Sequence, residues 1–471
     1  MDPTSLPEDA SPEDVLAFWF GPADADTASR AYLTSRMPRW FGGADLMFDI
    51  AQRGMRPLIA RVARAELAEP AWHTPRGLLA QILVLDQINR SAHRGTAAAF
   101  AHDAAACRLA RRLAEGGGFE TLAPVHRFFV CIALSHSEQL ADSELHVALA
   151  ARLGDATGYF ASLDGFPHEH YETVARFGRF PHRNALLGRP STPEEAAWLA
   201  SPSCPAWARS HARAALHYFD GRGLADPIRF LLEFCLVPYE EPTVTTRADF
   251  DALRASGRLA FGQVPLLELD GTPLVQTQAI LRYVAAKKGL AGGGAAEAAA
   301  ADMVVNGVLD ARMALIVAPF SETPAAALAA FFGARLPRLA AHLEAIFARH
   351  AGPYACGASL TYADVVLLEC LTYAADVYDG ELRQLLREYP RVLAHHARMR
   401  SFDHMKEFLQ SERRKPPPDA AYVRRTCEIL GRPCPAYAQA RAPMASRRLW
   451  AVGAAAAAAA GAMAWIAMRK K

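Results

Sequence analysis

"LHYFDGRGLADPIRF", residues 216–230, decides how the second half of this chain is read. A short apolar strand runs to Tyr218, breaks at Asp220-Gly221-Arg222-Gly223, and gives way at once to a helical pattern. Working outward, "AALHYF" is predicted as a strand and "ADPIRFLLEFCLV" as a helix, its Pro227 near the first turn where a missing N–H is tolerated. "YEEPTV" follows as a second strand and "RADFDALRASGRL" as a second helix. "VPLLELDGTPLVQ" is a hairpin turning at Asp270-Gly271, and "TQAILRYVAAKKG" is a closing helix ended by Gly289. The order is βαβαββα, and after about residue 295 only helical patterns remain.

The whole chain has 471 residues, which suggests two or three domains. It is 52% apolar and 21% charged, the composition of a globular protein, and its abundance of Ala and Arg predicts that helix dominates. A formal net charge of +2 gives no electrostatic reason to expect a nucleic-acid partner. The eight cysteines, at 107, 131, 204, 235, 356, 370, 427 and 434, contain no CxxC pair. They read as reduced thiols in a cytosol-like compartment, fitting neither a zinc site nor a redox pair. The acidic start "MDPTSLPEDASPEDVLAF" lacks the apolar run of a secretory signal.

The other end, "RRLWAVGAAAAAAAGAMAWIAMRKK", is different. From Leu449 to Met468 it has about twenty uncharged residues, enough to cross a hydrocarbon core as a helix. Basic residues flank the run, and Trp450 and Trp465 lie near its ends, where interfacial aromatics belong. The expectation is a single-pass membrane anchor that leaves the bulk of the chain facing the cytosol; the plainer reading is an alanine-rich low-complexity tail. The expected parts are a helical domain at 12–200, a linker at 201–214, the mixed module at 215–292, a helical domain at 295–432, a linker at 433–448 and the anchor at 449–468.

A tyrosine in a strand is ordinarily half-buried packing. The same residue also suits a chemical task. A free thiol has a pKa of about 8.5, and only the thiolate is a nucleophile. Lowering that pKa by two units takes about 2.7 kcal/mol, which one good donor and a nearby cation supply, because hydrogen bonds to a charged acceptor are the strong kind. Tyr218, at a strand end and aimed toward a helix N-terminus, is placed to be such a donor.

"LHYFDGRGLADPIR", "FGQVPLLELDGTPLVQTQAILRYVA", "SLTYADVVLLE" and "RRKPPPD" together resemble glutathione transferases of the tyrosine type, alpha- or sigma-like, over about residues 215–432. The resemblance implies a thioredoxin-like glutathione-binding domain followed by an all-helical one, a homodimer, and glutathione as co-substrate with no metal. It implies that Tyr218 holds the glutathione thiolate. Val264-Pro265 would hydrogen-bond the cysteinyl backbone from a cis bond, though an ordinary trans proline at a strand start is the alternative. Gln263 belongs with that pair, and Gln276-Thr277 would take the γ-glutamyl end at the helix start. Arg254 corresponds to a contact for the glycyl carboxylate, or is a solvated surface arginine. Asp310 corresponds to a residue that reaches the neighbouring subunit's glutathione, or is a surface charge. "TYAD", Thr361 to Asp364, reads as a structural capping box. One departure stands out: where the family writes a second arginine, this chain has Leu224, which weakens thiolate stabilisation, while Arg222 and Arg229 read as supporting the fold.

"VLAFWFG", "RWFGGADLMFD", "LLAQILVLDQINRSAHRGTAAAFAHD", "ALSHSEQLAD" and "RFGRFPHRNALLGRPSTPEEAAWL" resemble a largely bacterial helical family, domain of unknown function 924, over about 12–200. That resemblance implies tetratricopeptide-like stacked helical hairpins and no established activity. Asp86, Arg90, Arg94, His136, Glu138, Asp142, His168, His170, Glu172, Arg176, His182 and Arg183 crowd ionisable groups into apolar helices. They form an internal ion-pair network, since unpaired buried charge is costly, or a pocket for a small anion. A metal site is the weakest reading, because His168 and His170 are spaced i,i+2. The leading functional expectation is a glutathione transferase acting on apolar electrophiles, peroxides included, in a detoxifying role near a membrane. A non-catalytic scaffold of the same fold and a sigma-type isomerase are the alternatives.

Overall fold

The computed structural model describes residues 5–22, 25–41, 45–153, 159–160, 165–201, 203–209 and 214–439. The chain divides into two compact units, Met1–Arg213 and Ala214–Lys471. The expected anchor at 449–468, and residues 440–448 before it, lie outside the described residues.

The first unit is helical. Its opening helix, Pro12–Phe20, begins with a capping box between Ser11 and Asp14. Trp19 and Phe20 of that helix pack into an aromatic core with Trp40, Phe48 and Phe129, the Trp40 and Phe129 rings meeting edge-on at 5.0 Å. "GLLAQILVLDQINR" forms a continuous helical stretch, Pro75–Ile82 and Asn89–Ala92 joined by a π-helical segment, Leu83–Ile88. Every residue from Gly77 to Asn89 is buried, so this stretch is enclosed on all sides and carries Asp86 and Gln87 inward with its leucines. Pro124–Ser135 packs on Leu140–Ala150, which packs on Gly165–Phe177.

In the second unit the elements run β1 (Ala214–Phe219), α1 (Asp226–Phe234), β2 (Tyr239–Glu240), β3 (Thr243–Val244), α2 (Arg247–Ala255), β4 (Leu266–Leu269), β5 (Thr272–Val275) and α3 (Thr277–Lys287). Helices follow: α4 (Ala295–Val317), α5 (Pro324–Ala330), α6 (Leu336–Phe347), α7 (Tyr362–Leu386), α8 (Pro390–Arg400), α9 (Asp403–Gln410), α10 (Ala420–Leu430) and α11 (Ala436–Gln439). The sheet order is β2-β1-β4-β5, with β3 also paired to β1. β1 runs parallel to β2 and β3 and antiparallel to β4, as a thioredoxin-like sheet requires.

Three elements differ from the sequence reading, and one of them, α2, stops at Ala255 rather than running through Leu259, with Gly257 at φ 74°. "YEEPTV" is not one strand but two short ones, broken at Glu241-Pro242. Pro242 has no N–H for the ladder, and Glu241 turns to pair with Arg229. α1 stops at Phe234 rather than running through Val237, because Leu236 takes a left-handed conformation (φ 52°) and Val237 N–H returns to the Leu232 carbonyl at 2.9 Å. The Asp270-Gly271 turn, with φ of 52° and 76°, and the Gly289 helix stop fall where expected.

α7 starts at the capping box read from "TYAD". Asp364 accepts from the Thr361 N–H at 2.8 Å, and its other oxygen takes the Ala355 N–H (2.7 Å) and His395 Nε2 (2.9 Å). Ala295–Phe320 is long and apolar enough to cross a membrane by length and composition alone, with mean hydropathy 1.5. Here it packs along α7 and carries a buried ion pair to it, Arg312 to Glu369.

Candidate active site

β1 ends by delivering Tyr218 beneath the loop Asp220–Ala225. The ring is buried, with 6% exposure, and its Oη accepts the Leu224 backbone N–H at 3.0 Å. Gly223, at φ 40°, makes this approach feasible, since a Cβ there would lie 2.3 Å from the Tyr218 oxygen. Burial pushes the Tyr218 phenol up from its ordinary value, opposed by the Leu224 N–H and by the Arg229 and Arg312 guanidiniums. The phenol therefore keeps its proton, and with its lone pair engaged by Leu224 that proton is left to donate.

The loop owes its orientation to cations behind it. Arg229 Nη1 donates to the Gly221 and Arg222 carbonyls (2.9 and 3.3 Å), while pairing with Asp226 and Glu241. Arg312 Nη2 donates to the Gly223 carbonyl at 2.9 Å, and Thr277 Oγ1 donates to the Leu224 carbonyl at 3.0 Å. Four successive carbonyls are thus drawn away from Tyr218, which turns the Leu224 N–H toward it. Arg222 reaches Asp376 on α7 and the Lys415 carbonyl, both at 2.7 Å. "RRKPPPD" closes the arrangement: Arg414 pairs with Asp226 and Asp376, Lys415 with Asp220, and Asp419 caps α10. Arg222 and Arg229 hold the fold together, as read from the sequence.

The other expected site residues fall into smaller groups. Val264-Pro265 is a cis peptide immediately before β4. Gln276, exposed and at φ 73°, precedes α3, and its Nε2 donates to Gln263 Oε1 at 3.4 Å. Thr277 joins the Tyr218 loop through Leu224. Arg254 is half exposed, 3.8 Å from Asp251, and its Nε passes within 3.6 Å of where a Gly262 side chain would begin. Asp310 is exposed on α4 and is not brought to this cluster within the chain; Arg312, two residues on and about 200° around the helix, is.

Arg312 and Glu369 escaped the sequence reading. Both are 0–1% exposed and form a bidentate pair at 2.5 and 2.7 Å. The available signal was a carboxylate inside "VVLLECLTY", an apolar run where an ion needs a partner.

In the first unit the crowded charges pair off. Asp86, fully buried, accepts from His136 Nδ1 (2.6 Å), Arg90 (3.0 Å) and Gln87 (2.5 Å). Burial alone would raise its carboxyl, but His136 and Arg90 more than offset that and hold it well below the usual range. Burial, with Arg90 beside it, lowers His136, opposed by Asp86. Asp103 bridges Arg90 (2.8 Å) and Arg183 (3.0 Å), Glu138 pairs with Arg189, Asp142 with Arg111, Arg176 with Glu194, and Arg94 lies 4.0 Å from Asp49. His170 stacks on Trp207 at 4.0 Å, with His182 against the same indole. Among the described residues these guanidinium–carboxylate pairs form an internal ion-pair network. Among the described residues no group of three or more His, Cys, Asp or Glu side chains is placed to hold a metal ion.

Comparison with known proteins agrees with this division. Residues 15–203 match the family model described as bacterial protein of unknown function (DUF924). Residues 214–286 match the glutathione S-transferase N-terminal domain and 309–412 its C-terminal domain. Glutathione S-transferase A4 of Mus musculus is 36% identical over 216 residues, 45% of this chain and 95% of its own length. The alpha-4 enzyme of Rattus norvegicus is 37% identical over 211 residues (44% and 93%), and A3 of Homo sapiens 36% over 218 (46% and 96%). A solved Pi-class glutathione S-transferase of Onchocerca volvulus is 28% identical, with TM-score 0.37, over 42% of this chain and 93% of that one. The chain belongs to the glutathione S-transferase family through its second unit, and carries a DUF924 domain in front of it.

Proposed function

We propose that the second unit binds glutathione along the Val264-Pro265 end of β4 and that Tyr218 donates a hydrogen bond to its sulfur, holding the thiolate for attack on an apolar electrophile, a peroxide among the candidates. The observation that carries this reading is the Leu224 N–H on Tyr218 Oη, in a buried site where the phenol stays protonated. A hydrogen bond to a charged acceptor is worth about 1.5–3 kcal/mol, or one to two units of thiol pKa. In the same reading Gln263 and Gln276-Thr277 hold the γ-glutamyl end, Arg254 faces the glycyl carboxylate, and Asp310 serves the neighbouring subunit of a homodimer. Phe261, 69% exposed, and Met303, Met313 and Val317 on α4 supply apolar surface for that dimer.

Leu224, standing where the family has an arginine, favours a second reading: a transferase fold that binds glutathione without turnover. Conjugation of a chloronitroaromatic by wild type and Tyr218→Phe separates the two. The enzyme reading expects kcat to fall about 10- to 100-fold with KM for glutathione little changed. An inactive wild type across several electrophiles assigns the scaffold. The stacked-hairpin architecture of the first unit and the membrane tether belong to the same proposal. Carbonate extraction of full-length protein against a 1–446 truncation checks the tether: only the full chain stays with membranes, and equal release of both removes it.

A further inference from the structure

We propose that Arg312, held in place by Glu369, is a positioning residue for thiolate formation, acting on Tyr218 through the peptide unit between Gly223 and Leu224. The inference rests on the reading of Tyr218 as the sulfur's donor. One peptide links the two ends: its carbonyl, on Gly223, accepts from Arg312 Nη2 at 2.9 Å, and its N–H, on Leu224, donates to Tyr218 Oη at 3.0 Å. A cation at the oxygen end of an amide draws electron density that way and makes its N–H a stronger donor. Hydrogen bonds in such a chain reinforce one another where water is excluded. The strengthened N–H pulls density from Oη, so the phenolic proton becomes a better donor to a developing thiolate.

The arrangement is built for this. Arg312 is 1% exposed, and Glu369, 0% exposed, grips Nε and Nη2 at 2.5 and 2.7 Å, fixing the guanidinium plane. The Tyr373 ring lies 5.5 Å from the guanidinium carbon. Thr277 on the far side of Leu224 keeps the peptide from rotating. Position 224 itself carries no charge, and Arg312 supplies from behind the loop what Leu224 lacks in front of it. The step is proton placement only: the thiol loses its proton to solvent, the S–H bond breaks, and Tyr218 keeps its own proton while donating to sulfur.

A clamp between α4, α7 and the loop would make the same contacts, so the test reads ionisation rather than stability. The thiol pKa of bound glutathione is measured by ultraviolet titration in wild type, Tyr218→Phe, Arg312→Lys, and the double variant Arg312→Met/Glu369→Leu, which removes both charges of a buried pair and so is expected to fold. Arg312→Gln/Glu369→Gln, which keeps donors and removes charge, is measured beside it and decides alone if the first does not fold. The expected result is a rise of about half a unit or more in both double variants, recovery of most of it in Arg312→Lys, and a matching shift in the pH profile of kcat/KM. An unchanged thiol pKa in the double variants, with a raised one in Tyr218→Phe, overturns the role of Arg312 alone. No shift in Tyr218→Phe overturns the reading beneath it.

Discussion

At Tyr218 everything turns on one hydrogen atom. A buried phenol that accepts from Leu224 can donate in only one other direction. Gly223→Ala tests how closely the loop is fitted, because the new methyl would sit 2.3 Å from Oη at a backbone angle side chains rarely adopt. Destabilisation of about 1–3 kcal/mol is expected, visible as a lowered Tm, together with a fall in kcat approaching that of Tyr218→Phe. Unaltered kcat would mean that Tyr218 is not held by this contact. The strand end at Tyr218, the cis bond at Val264-Pro265 and the helix start at Gln276-Thr277 were legible in the sequence because each sits at a break between elements, where residue type reflects geometry; their roles toward glutathione remain part of the proposal. Arg312 was not, since its partners are a carbonyl 89 residues earlier and a carboxylate 57 residues later.

Among the elements, α7 depends most on a single residue. Asp364 caps its start, takes the Ala355 N–H from the preceding loop, and receives His395 from α8. Asp364→Ala leaves those buried donors without an acceptor and should cost about 3 kcal/mol or more, read as a loss of Tm or of soluble protein. A change below about 1 kcal/mol would contradict this. This capping box was readable as "TYAD" because its partners are three residues apart; the extra bonds to Ala355 and His395 were not. Strand β1, the hairpin and α3 were likewise legible from local pattern. The split of β2 from β3 was missed because Glu241 answers to Arg229 on α1, a tertiary demand that overrides strand propensity.

For the whole molecule, acid should act through buried histidines in both units, His396 of the transferase unit also being lowered by burial to about 4. Burial lowers His126 to about 4, and likewise His146, from an ordinary value of 6.5. In the window from pH 6.5 down to about 4 the unfolded chain binds protons that the folded one refuses. Stability is therefore complete above pH 6.5 and falls as pH drops through that window, by up to about 3 kcal/mol for each ring. Thermal melts from pH 7.5 to 4.5 should show this, and His126→Gln should flatten the slope; a flat wild-type profile would show that the rings titrate normally. The central claim concerns ionisation, and ultraviolet titration of glutathione bound to the wild-type protein tests it most directly. A midpoint below about 7, returning toward about 8.5 in Tyr218→Phe, is the expected result; a wild-type midpoint near that of the free thiol would contradict the account.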